Sequence, residues 1–210
     1  MITIEQARAY YADGDPVHDF AHVLRVLALA ERLARAERAD LKIVRTAALL
    51  HDIARDPNEG MGLKAEADID HAIRAAQRAR RLLAGADPAF VGAVAHAIEA
   101  HRFRNDVEPA TIEAKVLFDA DKLDAIGAVG IARAFAYGAM LGQPLWGEVA
   151  PDYVPGEGGG RHTPHHEFHT KLKHIKERLY TESGRHLAEE RHRFMVAFFE
   201  EMSAEVQGKR

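Results

Sequence analysis

Not one of the 210 residues is a cysteine. That excludes disulfides, thiolate metal ligands and cysteine nucleophiles, and it fits a reducing compartment. Any metal has to be held by nitrogen and oxygen donors. Apolar runs of membrane-spanning length are also missing, so no membrane partner is expected. The opening stretch MITIEQARAYYADGD carries acids and no apolar segment, so no signal peptide is expected and a cytoplasmic protein is the default. Excess positive charge is lacking too. The formal net charge is −4, which argues against a stable nucleic-acid partner. No segment alternates convincingly as a strand, and no tandem repeat is visible. What is abundant is histidine, with 13 in the chain.

Apolar residues recur at three- and four-residue steps through most of the sequence, which predicts an all-α protein. A short helix is expected over 3–12 with Thr3 as its cap, followed by a turn at Asp13-Gly14-Asp15-Pro16. Val23–Arg38 has one apolar face. Asp40 caps a predicted helix Leu41–Ile53, in which Val44, Ala47, Ala48 and His51 share a face. Further helices are predicted over His71–Ala84 and Ala89–His101. The longest, Ile112–Met140, is expected to kink near Gly127 and Gly130. Two more follow, Glu167–Arg178 and Leu187–Glu205. The expected organisation is one domain over 1–210: a core of about 15–140, a Gly- and Pro-rich loop 141–165, and C-terminal helices 166–206.

Chemistry concentrates at His51-Asp52, an imidazole and a carboxylate side by side at the end of an apolar helical run. Helix neighbours project about 100° apart, so they share a target only at the helix flank, and a metal ion is such a target. His22, Asp121, His71 and His101 are the candidate partners. His22 competes with His18, and Asp121 with Asp119 and Asp124; Asp121 and Asp124 fall on one helical side. Asp56 and Glu59 follow the doublet, and an acid there either takes a proton from an attacking water or is a solvated helix-end acid. Arg25, three residues after His22, either reaches a phosphate or pairs with an acid. Arg102 and Arg104 are electrostatic contacts or exposed loop charges. Lys171 is the lysine preferred as a point charge for phosphate, against an exposed helix lysine. Trp146 and Tyr153 are expected to pin the loop rather than stack on a base. His162, His165, His166 and His169 lie in or beside polar sequence, and no specific metal site is expected there.

Three pieces in order, His22-Val23-Leu24-Arg25-Val26, Ala47-Ala48-Leu49-Leu50-His51-Asp52-Ile53 and Asp119-Ala120-Asp121-Lys122-Leu123-Asp124-Ala125-Ile126-Gly127, resemble the HD-domain superfamily of metal-dependent phosphohydrolases. The C-terminal piece, from Lys171-Leu172-Lys173 through Thr181 to Arg191-His192-Arg193-Phe194-Met195, resembles a bacterial branch that includes nucleotide pyrophosphohydrolases. The resemblance implies an HD-type helical bundle with a C-terminal helical extension. It selects His22, His51, Asp52 and Asp121 as metal ligands. Beside them, Asp52, Asp56, Arg25 and Lys171 are the candidate catalytic or phosphate-contacting groups. It implies a divalent ion among Mn, Fe, Co, Ni, Zn and Mg, with Mn favoured. His71 and His101 then hold a second metal or contact phosphate. The implied reaction is hydrolysis, by metal-activated water, of a phosphoester or phosphoanhydride bond in a nucleotide or small phosphorylated metabolite. The alternatives are a two-metal cyclic-nucleotide or oligonucleotide phosphodiesterase and a non-catalytic nucleotide-sensing module. A homodimer is the default assembly for a soluble enzyme.

Overall fold

In a computed structural model of the chain, residues 2–11, 19–54, 70–103, 105–155 and 162–210 are described. Every regular element among them is helical: α1 Ile4–Arg8, α2 Phe20–Glu37, α3 Leu41–Leu50, α4 His71–Leu82, α5 Pro88–Glu99, α6 Ile112–Asp124, α7 Gly127–Met140, α8 Pro164–Thr170, a 3-10 helix Leu172–Arg178, and α9 Glu182–Val206. Helix starts follow the capping chemistry of the sequence. Thr3 and Gln6 form a reciprocal capping box on α1. Asp19, Asp40, Asp70 and Asp87 cap α2, α3, α4 and α5 with their carboxylates. Arg38, in the left-handed conformation at φ 58°, ends α2. No single described helix is long and apolar enough to cross a membrane.

The chain divides into two compact units. The first comprises Met1–Asp121 with Tyr180–Gly184, the second Lys122–Leu179 with Arg185–Arg210. In the first unit, α3 packs against both α2 and α5, and α5 against α4. Its core takes Val23, Val26, Ala30 and Leu33 from α2, Val44, Ala47, Leu49 and Leu50 from α3, and Val94, Ala97 and Ile98 from α5, all buried. Apart from His71, the buried residues of α4 are all alanine: Ala72, Ala75, Ala76 and Ala79 are fully buried. Small side chains there let the helix axes approach closely. The first unit also holds Asp119 of α6. This fully buried carboxylate accepts the backbone N–H of Tyr180 (2.9 Å) and of Thr181 (2.8 Å) and the Thr181 hydroxyl (2.6 Å). A Cβ on Gly184 would meet Asp119 Oδ2 at 2.4 Å, so a glycine is required at that approach.

In the second unit, Phe199 has two near-parallel aromatic neighbours, Phe168 at 4.4 Å and Phe135 at 6.3 Å. The expected single helix over 112–140 is broken at Ala125-Ile126. Gly127 sits at φ 78°, and a Cβ on Gly130 would meet the Ala125 carbonyl oxygen at 2.2 Å. Those two glycines permit a full break where a kink was expected. The loop expected to run to 165 ends earlier, because Thr163 caps α8 and Pro164 takes its first turn. The helix expected over 167–178 is two elements, α8 and the 3-10 helix, with the change at Lys171 (φ −136°). The last helix begins at Glu182 rather than Leu187.

Candidate metal centre

His22 stands on the first turn of α2, where the Asp19 cap receives its backbone N–H at 3.0 Å. His51 and Asp52 leave the C-terminal end of α3, His71 opens α4, and His101 closes α5. These four helix ends bring their side chains to one place. His22, His51, Asp52, His71 and His101 are all buried, none more than 5% exposed. His22 Nε2 faces His51 Nε2 at 3.3 Å, and both approach Asp52 Oδ2, at 3.9 Å and 3.7 Å. The other carboxylate oxygen, Oδ1, faces His71 Nε2 at 3.3 Å and His101 Nε2 at 3.6 Å. Asp121 Oδ1 lies 3.4 Å from His22 Nε2. The result is two three-residue sets, His22–His51–Asp52 and Asp52–His71–His101, which share Asp52. Within each set the donor atoms lie within 4.8 Å of one another.

The donor chemistry fits a divalent cation. His51 Nδ1 donates to the Ala48 carbonyl at 2.8 Å, and His101 Nδ1 donates to the Ile98 carbonyl at 2.6 Å. A carbonyl only accepts, so in the neutral ring the proton is on Nδ1 and the Nε2 lone pair points into the cluster. Hydrogen-bonding the far ring nitrogen in this way is the usual means of orienting a metal-binding histidine. Burial pushes the His51 pKa down to about 4, outweighing the pull of the Asp52 carboxylate, so the ring stays neutral near pH 7. Imidazole and carboxylate together suit transition ions better than Ca²⁺ or Mg²⁺.

Several contacts that the periodicity alone did not announce hold this cluster. Arg74 Nη2 and Arg78 Nη1 of α4 donate to the carbonyls of Ala54 (3.1 Å) and Ile53 (2.6 Å), just beyond the doublet. His71, Arg74 and Arg78 stand at three- and four-residue steps, a stripe flanking the alanine face of α4 that the spacing in the sequence could have suggested. Asp70 caps α4 through the Ala72 N–H (2.9 Å) and also takes Arg102 Nη1 at 2.6 Å. The residue before His71 is thereby tied to the residue after His101. An aspartate immediately before a helical run was the signal. The Tyr11 hydroxyl donates to the Leu49 carbonyl at 3.0 Å, beside the doublet. Burial, reinforced by the Asp52 carboxylate, pushes its pKa well above the ordinary value.

The other expected residues sort as follows. Arg25 is half-buried on α2. Asp119 serves the Thr181 turn, and Asp124 pairs with Arg133 at 2.7 Å in the second unit. Lys171 is exposed in the second unit and pairs with Glu167 at 2.6 Å. Trp146 and Tyr153 hold loop residues to histidines, Trp146 stacked on His165 and Tyr153 hydrogen-bonded to His162. His18, Asp56, Glu59 and Arg104 lie outside the described residues.

Comparison with known proteins agrees with this geometry. The HD domain profile matches residues 19–126, which contain every member of the cluster. The Bacillus subtilis protein YpgQ is 36% identical over 202 residues, covering 93% of this chain and 88% of YpgQ. The crystal structure of YpgQ in complex with ADP aligns with a TM-score of 0.74 at 32% identity, over 98% of this chain and 99% of that one. A predicted HD-superfamily hydrolase from an uncultured Thermotogales bacterium aligns with a TM-score of 0.65 at 34% identity, over 96% and 90% of the two chains. Ribonuclease Y of Chloroflexus aurantiacus is 33% identical over 157 residues, 63% of this chain but 28% of that protein. A cluster of this composition, inside a matched segment of a chain aligned almost end to end with YpgQ, makes this protein a member of the HD-domain superfamily.

Proposed function

We propose that the protein is a metal-dependent phosphohydrolase whose substrate is a nucleotide or another small phosphorylated metabolite. The observation that carries the reading is the convergence of His22 and His51 Nε2 on the Asp52 carboxylate, with Asp121 Oδ1 at 3.4 Å from His22. In this reading His22, His51, Asp52 and Asp121 hold one divalent ion, with Mn²⁺ favoured over Fe²⁺, Co²⁺, Ni²⁺, Zn²⁺ and Mg²⁺. Such an ion, when bound, supplies Lewis acidity and lowers the pKa of water. The chain's own contribution is to hold the imidazoles in place, to keep that of His51 neutral and to exclude water from Asp52. Arg25 supplies positive charge for the phosphate, and Asp56 accepts the proton released by the attacking water; the part given to Asp56 rests on its spacing from the doublet. The ADP in the YpgQ crystal supports a nucleotide as substrate. The reading carries with it a cytoplasmic location, where nucleotides are abundant.

A panel of nucleoside mono-, di- and triphosphates and sugar phosphates, each assayed with Mn²⁺, Co²⁺, Ni²⁺ and Mg²⁺, tests the proposal. Turnover of at least one substrate is expected, and Asp52→Ala should lower it by well over a hundredfold, since removing a ligand exceeds the cost of removing its outer support. Phosphate as product identifies a phosphatase, and pyrophosphate from a triphosphate identifies a pyrophosphohydrolase. Nucleotide binding without turnover under every metal would replace the enzyme with a sensing module.

A second reading is favoured by the second set, Asp52–His71–His101. With an ion in each set, Asp52 would be a ligand to both, and a two-metal centre would supply Lewis acidity to the attacking and the leaving oxygen of a phosphodiester. The partial match to ribonuclease Y adds oligonucleotides to the substrates worth assaying. Two Mn²⁺ ions per chain, falling to one in His101→Ala, support this reading. One Mn²⁺ ion in both proteins rejects it.

A further inference from the structure

The second unit contains a histidine pair that the proposed reaction does not use. His165 and His169 stand four residues apart on α8, on one face of the helix, with their Nε2 atoms 3.1 Å apart. His165 Nδ1 donates to the Gly147 carbonyl at 2.8 Å, so the neutral ring presents its Nε2 lone pair to His169. The His165 ring is stacked on Trp146 at 3.8 Å, and His169 meets it edge-on at 4.6 Å and 89°. The same arrangement occurs in the first unit. There His51 Nδ1 donates to a carbonyl at 2.8 Å, and its Nε2 faces that of His22 at 3.3 Å.

We propose that His165 and His169 form a two-histidine binding site for a borderline divalent transition ion such as Zn²⁺, Ni²⁺ or Cu²⁺. Two nitrogens each about 2.0–2.1 Å from one ion, at ligand angles of 90–109°, stand about 2.8–3.4 Å apart, and the observed gap of 3.1 Å lies in that range. Two imidazoles without a carboxylate select these ions over Mg²⁺ and Ca²⁺. The neighbouring histidines are engaged otherwise. His162 lies between the Tyr153 hydroxyl (2.8 Å) and Glu167 (3.1 Å), and His166 Nδ1 meets the Thr163 hydroxyl at 2.7 Å. Water completes the coordination from the side of His169, which is half-buried, while His165 is buried under Trp146. In the metal-free protein His169 donates its Nε2 proton to His165. When the ion takes both Nε2 atoms, neutral His169 carries its proton on Nδ1 instead, so no net proton is lost. Burial lowers both histidine pKa values, which keeps the rings neutral and able to bind. Because Gly147 and Trp146 grip His165, the ion ties α8 to the Gly- and Pro-rich segment before it.

Trp146, the one tryptophan in the chain, reports on this site directly. Titration of the full-length protein with Ni²⁺ should give saturable quenching of its fluorescence. Excess Zn²⁺ should compete, and excess Mg²⁺ should not. His169→Gln, checked for fold by circular dichroism and thermal melting, should weaken the quenching at least tenfold and bind one fewer Ni²⁺ per chain. As a measure that needs no variant, Zn²⁺ should shift the ring ¹⁵N resonances of His165 and His169 in the wild-type protein. Equal Ni²⁺ quenching in wild type and variant, or Zn²⁺ leaving those two rings unshifted, overturns the proposal.

Discussion

His51 carries a pH dependence whose sign follows from its burial. Its folded-state pKa of about 4 lies below the ordinary 6.5, so between those values the unfolded chain binds the extra proton. The stabilisation is complete above about pH 6.5 and drains away as the pH falls towards 4, by roughly 2–3 kcal/mol. Urea titrations of metal-free wild type and His51→Gln at pH 7 and pH 4.5 should show the stability gap between them closing by that amount; a gap independent of pH contradicts the assignment. At this scale the sequence named side chains that the structure brings within 4 Å of one another, but periodicity could not finish the choice among the three acids of α6. Helical periodicity groups Asp121 with Asp124, yet Asp124 is taken by Arg133 and Asp121 reaches His22. Asp119 answers to Thr181, a partner 62 residues onward that no local pattern reveals.

Helix ends, more than helix faces, carry the site. Asp70 and Arg102 join the start of α4 to the end of α5, next to His71 and His101. Arg102→Met should therefore weaken ion binding by the Asp52–His71–His101 set by about ten- to a hundredfold, with helix content unchanged. Calorimetric titration reads the affinity, and an unchanged value removes the clamp from the account. Asp119 fixes the turn into α9 with three hydrogen bonds, so Asp119→Ala leaves buried donors unsatisfied. About 3 kcal/mol of stability should be lost in urea unfolding, and a loss near zero would mean the turn is held by something else. The caps were legible as aspartates before apolar runs, at Asp40 and Asp87 above all. The break between α6 and α7 was only half legible. Gly127 and Gly130 marked the place, but the positive φ of Gly127 and the close Ala125 carbonyl appear only in three dimensions. The switch from α8 to a 3-10 helix had no signal, since the residues around Lys171 include neither glycine nor proline.

The alignment with YpgQ covers 98% of the chain, whereas the HD profile stops at residue 126. The cluster lies entirely in the first of the two compact units, which also recruits Tyr180–Gly184 from late in the sequence. An ion bound only by the folded chain adds to its stability. At a hundredfold excess over the dissociation constant the gain is about 2.7 kcal/mol, so a chelator should lower the melting temperature of the metal-loaded protein and leave that of Asp52→Ala nearly unchanged. Equal shifts in both would place the stabilising ion elsewhere. The most direct measurement is anomalous diffraction from crystals of the Mn²⁺-loaded protein, collected at the manganese edge. The account predicts a peak bonded to His22, His51, Asp52 and Asp121. A manganese peak bonded to none of these four, in a protein that is active with Mn²⁺, would contradict it.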